Sequence, residues 1–390
     1  MRTSNRGSQR VLSTMLHVTW FKNFHEQRNY TLRFGLMCLH EAGEVRYQEK
    51  PLADCVTFGF SAEVASHIHR HTSVISIENH GRRINCIVDS EDSFYWMSPL
   101  ITKCDIYFCS GYSRAFFEGH EFPKPYAWQT ESEISFYREK SHALIDMFGD
   151  YFPRVRRFIP IGPSMERRSP ISHLAQRFRN LHHKVRSRHR QNLPWFFEYR
   201  DFYTRYQELL GYRRLPLAYD IVLSDTLWGW PRHRLGLHKK LQSLACNHAV
   251  HARLNWSDLM ACDGGTQNPI SRSEFPIMCG KIDDYERMMA MSRLALFAAG
   301  FHWGWRSIMS LALLIGLPVY ADRMILEAWF DINRFHIFWN DTNEWPRIEE
   351  LLEMINPSEW ARIKLHNQSM YDEFMAPMNV ARYFLKTAAS

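Results

Sequence analysis

With 390 residues, 45% hydrophobic and 23% charged, the chain has a folded, globular composition with room for two to three domains of about 100–200 residues, which excludes disorder. Its net charge of +7 suits anionic partners such as nucleotides, nucleic acids or membrane surfaces. Eight cysteines with no Cys-x-x-Cys pair exclude a dense disulfide framework, offer no zinc spacing and fit a reducing cytosol.

Strand and helix signals alternate along the first part. MLHVTWF (15–21) reads as a strand, YTLRFGLMCLHEAG (30–43) as a helix stopping at Gly43, and EVRYQEKP as a strand. SVISIENHG (73–81), RINCIVDSED (83–92), DIYFCSGY within 98–112 and VRRFIPIGPS (155–164) read as further strands. Strands alternating with helices imply βαβ units and a mainly parallel sheet. Cys104 and Cys109 are expected as small core hydrophobes.

The middle changes character. RRSPISHLAQRFRNLHHKVRSRHR (167–190) is dense in Arg, Lys and His, and an aromatic helical stretch follows it. Leu174, Phe178, Leu181 and Val185 fall at helical spacing. They make 173–190 either an amphipathic basic helix for an anionic membrane surface or a solvated linker helix. No RNP, KH or zinc-finger pattern is present, so no nucleic-acid partner is expected.

The second part restarts with the strand AYDIVLSDTLWGW (218–230) and a helix opening at Pro231, with Leu235, Leu241 and Leu244 on one face. Asp225 and Trp228 fall near that strand's end. A helix capped by Asp283 or Asp284 leads to the strand LALFAAG, a loop, a helix from Arg306 to Ile315 and the strand LPVYAD. FHIFWND (335–341) is a last strand, and EWPRIEELLEMI and the C-terminal segment are helical. The longest apolar block, Ser307 to Ala321, is about 15 residues and too short to span a bilayer. A cytoplasmic location is expected, peripheral to the inner face of the plasma membrane if 173–190 binds it.

The stretch GFHWGWR (300–306) lies between a strand and a helix. Backbone N–H groups and the helix dipole there favour an anion. Gly300 and Gly304 permit close backbone approach, His302 can donate to an oxyanion or stack, and Arg306 can hold a phosphate with two parallel hydrogen bonds. The alternative is a plain turn with a surface arginine.

The run from Asp283 to Asp341 resembles the C-terminal domain of exostosin-like glycosyltransferases of the GT-B fold. The matching positions are Tyr285, Ser292-Arg293, Gly300, Arg306, Gly316, Pro318-Val319, Asp322, Glu327 and Asp331 to Phe335. More loosely, CIVDSEDSFYWMSPLITKCDIYFCSGY resembles the acceptor domain of bacterial members. The resemblance implies α/β architecture with two Rossmann-like domains facing a cleft: 1–165 for the acceptor, 166–216 as linker, and 217–390 for the donor, with terminal helices. It implies transfer of a sugar from a nucleotide-sugar to a glycan or lipid-linked acceptor, in bacterial surface polysaccharide or lipopolysaccharide assembly. Such enzymes work without a bound metal, and no cofactor beyond the donor substrate is implied.

In that chemistry, charge develops on the departing diphosphate. Arg306, the helix N-terminus, Arg232, Arg234 or Lys281 would stabilise it, and Asp322 and Glu327 would accept sugar or ribose hydroxyls. An inverting mechanism needs a base, for which Asp89, Glu91 and Asp92 follow a buried strand; the other reading is a helix cap there. His80 is a second candidate. One departure stands out: relatives often carry a Glu in the helix before Gly-x-Pro-Val, and SLALLIG has none. A non-catalytic nucleotide- or glycan-binding protein on the same scaffold is the alternative.

Overall fold

The computed structural model describes residues 15–23, 26–91, 93–159, 161–166, 195–227, 229–257, 270–275, 280–299 and 304–390. The basic segment 173–190 lies outside the described residues.

The first unit runs β1 (Leu16–Lys22), α1 (Tyr30–Glu41), β2 (Val45–Pro51), α2 (Ala62–Ser66), β3 (Thr72–Asn79), β4 (Arg82–Asp89), β5 (Ile106–Cys109), α3 (Arg114–Gly119), α4 (Glu131–Phe148) and β6 (Val155–Arg157). Its sheet order is β2-β1-β3-β4-β5-β6. All neighbours are parallel except that β3 runs against both β1 and β4. The expected mainly parallel arrangement holds apart from β3, which forms an antiparallel hairpin with β4. The reason is local: His80 and Gly81 both take positive φ, 51° and 78°. A two-residue turn of that kind matches the twist of antiparallel strands.

After α5 (Trp195–Gly211), the second unit runs β7 (Tyr219–Thr226), α6 (Pro231–Leu244), β8 (Val250–Asn255), α7 (Tyr285–Ala290), β9 (Ser292–Phe297), α8 (Ser307–Ile315), β10 (Val319–Asp322), β11 (Ile337–Asn340), α9 (Ile348–Met354), α10 (Pro357–Phe374) and α11 (Pro377–Ala389). The sheet order is β11-β10-β9-β7-β8, and every pair is parallel. Counted from β7, this is the doubly wound order 2-1-3-4-5, with its switch point between β7 and β9. The α/β class with two sheets flanked by helices is thus as expected from the sequence.

Helices flank the sheets, so central strands such as β9 and β10 are buried almost throughout. In β1, Val18 and Trp20 join the large core that includes α1 and α11, while Phe21 joins a separate core on the opposite face. The last helix returns to the first unit: Phe384 packs on Phe108 at 4.7 Å, and Arg382 pairs with Glu44. Gly35 makes that approach possible. A Cβ there would lie 1.9 Å from the Pro377 carbonyl oxygen, so Gly35→Ala is expected to push α11 off α1. The measurement is a thermal melt, with a loss of about 1–3 kcal/mol for an overpacked contact. Cys104 and Cys109 are buried in the first unit's core. No helix among the described residues is long and apolar enough to cross a membrane.

A buried charge cluster anchors α5 to the first unit. Arg33 holds Glu49 with two 2.8 Å bonds and also pairs with Glu198 of α5. Lys22 lies 2.8 Å from Glu49 and 3.7 Å from Glu198. Glu26 completes the group, 3.5 Å from Arg33 and accepting from the Trp20 indole at 2.8 Å. Burial pushes the Glu26 carboxyl up to about 7, against the pull of Arg33 and Trp20, and Glu49 and Glu198 add to the rise. A carboxyl raised in the folded state stabilises most below its unfolded value of 4.5 and loses that contribution as pH rises through about 7. Stability is expected to fall by about 3 kcal/mol over that window through this group. Urea melts at pH 5 and pH 8 should show the fall in the native chain and a flatter profile in Glu26→Gln.

Candidate functional site

In open α/β sheets the ligand crevice lies beyond the strands' carboxyl ends at the switch point. Here that position belongs to Asp225, at the end of β7. Arg234, on the first turns of α6, reaches Asp225 Oδ2 at 2.5 Å and also donates to the Gly229 and Ala299 carbonyls at 2.7 Å each. Arg306, at the N-cap of α8, reaches Asp225 Oδ1 at 3.0 Å and the Ala298 carbonyl at 3.3 Å. Arg234 is 1% exposed, whereas the Arg306 side chain is 26% exposed. Burial pushes the Asp225 carboxyl up, but Arg234 and then Arg306 outweigh it and hold the group well below the usual carboxylate range. Two guanidiniums face this carboxylate, and the Asp322 carboxylate also acts on Arg234. The nearby His238 adds no cation, because burial drives its imidazole down to about 4. Two helix N-termini, of α6 and α8, follow the two strands at this point and add their dipoles to the same field.

A second buried group adjoins it. Asp322, ending β10, accepts from Asn340 Nδ2 at 2.8 Å and from the Ala299 N–H at 2.8 Å. Its Oδ2 also meets His233 Nε2 at 2.8 Å, and His233 Nδ1 lies 3.2 Å from Asn343 Oδ1. The His233 ring is stacked between Trp128 of the first unit and Trp345.

The positions expected from the sequence separate into distinct environments. Arg306 and Asp322 come together around the 298–299 peptide, and Gly304 is buried beside them. Asp322 is engaged by protein donors at both oxygens, which is a structural use of its carboxylate. Glu327 instead bridges the units: its N–H donates to the Tyr112 carbonyl at 2.8 Å, and its carboxylate accepts from the Arg114 N–H at 3.0 Å and lies 3.6 Å from Arg157. Arg232 faces outward and pairs with Glu274 at 2.8 Å, and Lys281 is exposed. Asp92, Gly300, His302 and Trp228 lie outside the described residues.

On the first unit, Asp89 is 2% exposed. Its carboxylate accepts from the Glu91 N–H at 2.8 Å, from the Ser98 N–H at 3.0 Å and from the Tyr107 hydroxyl. Burial raises that carboxyl, and these hydrogen bonds pull against the rise. Asp89 therefore organises the loop after β4 rather than presenting a base to a cleft. Glu91 lies 3.2 Å from Arg70 and 3.9 Å from Arg28. His80 occupies the β3–β4 turn.

Sequence reasoning missed His233 and Trp128. At the start of a helix, Arg232, His233 and Arg234 point about 100° apart, so two of the three face inward, and only packing decides which. Trp128 sits in a stretch without helix or strand between α3 and α4, where no periodicity marks it.

The chain is thus a two-sheet α/β protein with Asp225, Arg234 and Arg306 clustered at the switch point of its second sheet. No family model matches the chain and no curated protein matches it. Among solved structures, it is similar in part to the glycosyltransferase VinC in complex with DTDP, at 13% identity and a TM-score of 0.27. The match covers 46% of this chain and 44% of that one.

Proposed function

We propose that the chain is a nucleotide-sugar-dependent glycosyltransferase of the GT-B type, with residues 217–390 holding the donor and residues 1–165 the acceptor. The observation that supports this is the Asp225–Arg234–Arg306 cluster at the switch point of a fully parallel sheet. Asp225, itself paired with Arg234, holds Arg306 at the N-terminus of α8, where its partly exposed guanidinium and the helix dipole can stabilise charge developing on a departing diphosphate. The role needs no metal. The exostosin-like pattern from Tyr285 to Phe335 supports a glycan or lipid-linked acceptor and a place in bacterial surface polysaccharide or lipopolysaccharide assembly. The basic segment 173–190 supports contact with an anionic membrane surface.

A panel of nucleoside diphosphates should raise the melting temperature, and a matching nucleotide-sugar with acceptor should release nucleoside diphosphate. If no nucleotide shifts the melt, the donor-site reading fails. A second reading, a non-catalytic nucleotide- or glycan-binding protein, is favoured by the engagement of Asp89, Asp322 and Glu327 in protein contacts. A melting shift without nucleotide release in the presence of donor and acceptor would select it.

A further inference from the structure

Residues 120–130 carry no helix or strand, yet they reach from the first unit onto the carboxyl edge of the second. The Tyr126 hydroxyl donates to the Arg323 carbonyl at 2.6 Å. From Tyr126 a column of four nearly parallel rings crosses between the units. Tyr126 stacks on Trp128 at 4.3 Å and 10°, Trp128 on His233 at 3.7 Å and 6°, and His233 faces Trp345 at 5.4 Å and 26°. The Trp128 indole N–H has no acceptor among the described residues, so its ring is held by stacking.

The column ends on a hydrogen-bond chain. His233 is held edge-on by Asp322 and Asn343. Asp322 Oδ2 also takes the Ala299 N–H, and Arg234, next to His233 on α6, takes the Ala299 carbonyl. Arg306 takes the neighbouring Ala298 carbonyl. Asp322 and Arg306 thus grip the 298–299 peptide, where the chain leaves β9, and Arg234 grips the carbonyl that follows. One of them, Asp322, depends on the orientation of His233. The ring fills the slot between Trp128 and Trp345 with its two nitrogens aimed at Asp322 and Asn343. Trp345 belongs to the same unit, but Trp128 is contributed by the other. When the first unit is seated, the imidazole is dry on both faces and its bond to Asp322 is shielded from water, which strengthens it. Without Trp128, one face is open to water and the bond competes with solvent.

We infer that Trp128 is a positioning residue for the backbone at the end of β9, at Ala298 and Ala299. It acts through His233 and Asp322 to couple the seating of the first unit to the geometry of the 298–299 peptide, and so to nucleotide binding. The last step rests on the proposed donor site; the coupling to Ala299 does not.

The test is amide hydrogen exchange at Ala299 in the full chain, alongside binding of UDP, GDP and dTDP. Trp128→Ala is expected to speed exchange at Ala299 by about 10-fold or more, with core amides such as Leu223 and Leu294 unchanged, because the opening is local. Trp128→Phe keeps a stacking face and should restore protection. For the nucleotide that binds, Trp128→Ala should raise Kd by about 5- to 100-fold, within the usual range for coupled sites, and Trp128→Phe should recover most of it. Unchanged Ala299 exchange in Trp128→Ala overturns the inference. So does faster exchange throughout the second sheet, which would make Trp128 a general packing residue. If the Ala299 result holds while the native chain binds none of the three nucleotides, the coupling stands and the donor-site reading falls. If a nucleotide binds equally to the native chain and to Trp128→Ala, the link to nucleotide binding is lost.

Discussion

Asp225→Asn is expected to destabilise the second unit by about 3–5 kcal/mol, the usual consequence of removing one partner from a buried ion pair. Arg234 is almost fully buried, and in the variant its charge would face a neutral amide in a site closed to water. The companion Arg306 could turn to solvent, since its side chain is partly exposed, but Arg234 has no such route. On the order of 10 °C in melting temperature follows for a unit of this size. The native pair stabilises above the ordinary carboxyl value of 3.8 and loses that contribution as pH falls below it, because the folded state holds Asp225 ionised. The difference between native and variant should therefore shrink in acid. Replacing both partners, as in Asp225→Asn with Arg234→Met, should recover part of the loss, because the uncompensated charge is then gone. Arg232→Ala is the control: its pair with Glu274 is exposed, and such pairs contribute about 0–1 kcal/mol. An Asp225→Asn melt indistinguishable from the native one would show that water reaches Arg234.

Arg306→Ala is expected to leave the melting temperature nearly unchanged and to weaken nucleoside diphosphate binding by roughly 10- to 100-fold. That corresponds to one or two charge-assisted hydrogen bonds of about 1.5–3 kcal/mol. The stability effect is small because Asp225 keeps Arg234 as its partner. Arg306→Lys should recover little. A single ammonium cannot reach Asp225, the Ala298 carbonyl and a phosphate at once, whereas the planar guanidinium fork can. Calorimetric titration with the nucleotide that shifts the melt provides the measurement. Equal affinity in native and Arg306→Ala chains would move the anion site away from the N-terminus of α8.

Much of this was legible in the residue string. The alternation of apolar runs and helical spacing marked most strands of both sheets, and Pro231 marked the start of α6. The glycine before Pro-Val marked a helix end: Gly316 closes α8 at φ 96°, where a Cβ would also meet the Lys364 carbonyl oxygen at 2.3 Å. The antiparallel course of β3 was written in Asn-His-Gly, a turn signal that strand periodicity alone does not weigh. The carboxylates were the least legible. Asp89, Asp322 and Glu327 were each found at a strand end or loop, where a reactive acid would sit. In the fold, Asp89 accepts from loop amides and a tyrosine, Asp322 from a backbone amide and its side-chain neighbours, and Glu327 ties the two units together.

By itself the sequence determined the class of fold and the candidacy of Arg306, because these depend on periodicity and on residues adjacent in the chain. Which charges face each other was decided only by the tertiary structure. Asp225 meets Arg306 across 81 positions, Asp322 meets His233 across 89, and Trp128 reaches His233 from the other unit. Such pairings are set by the order in which strands assemble into the sheet and by the seating of one unit on the other. Neither leaves a local pattern, because a buried charge is recognised by what neutralises it, and its partner is chosen by topology.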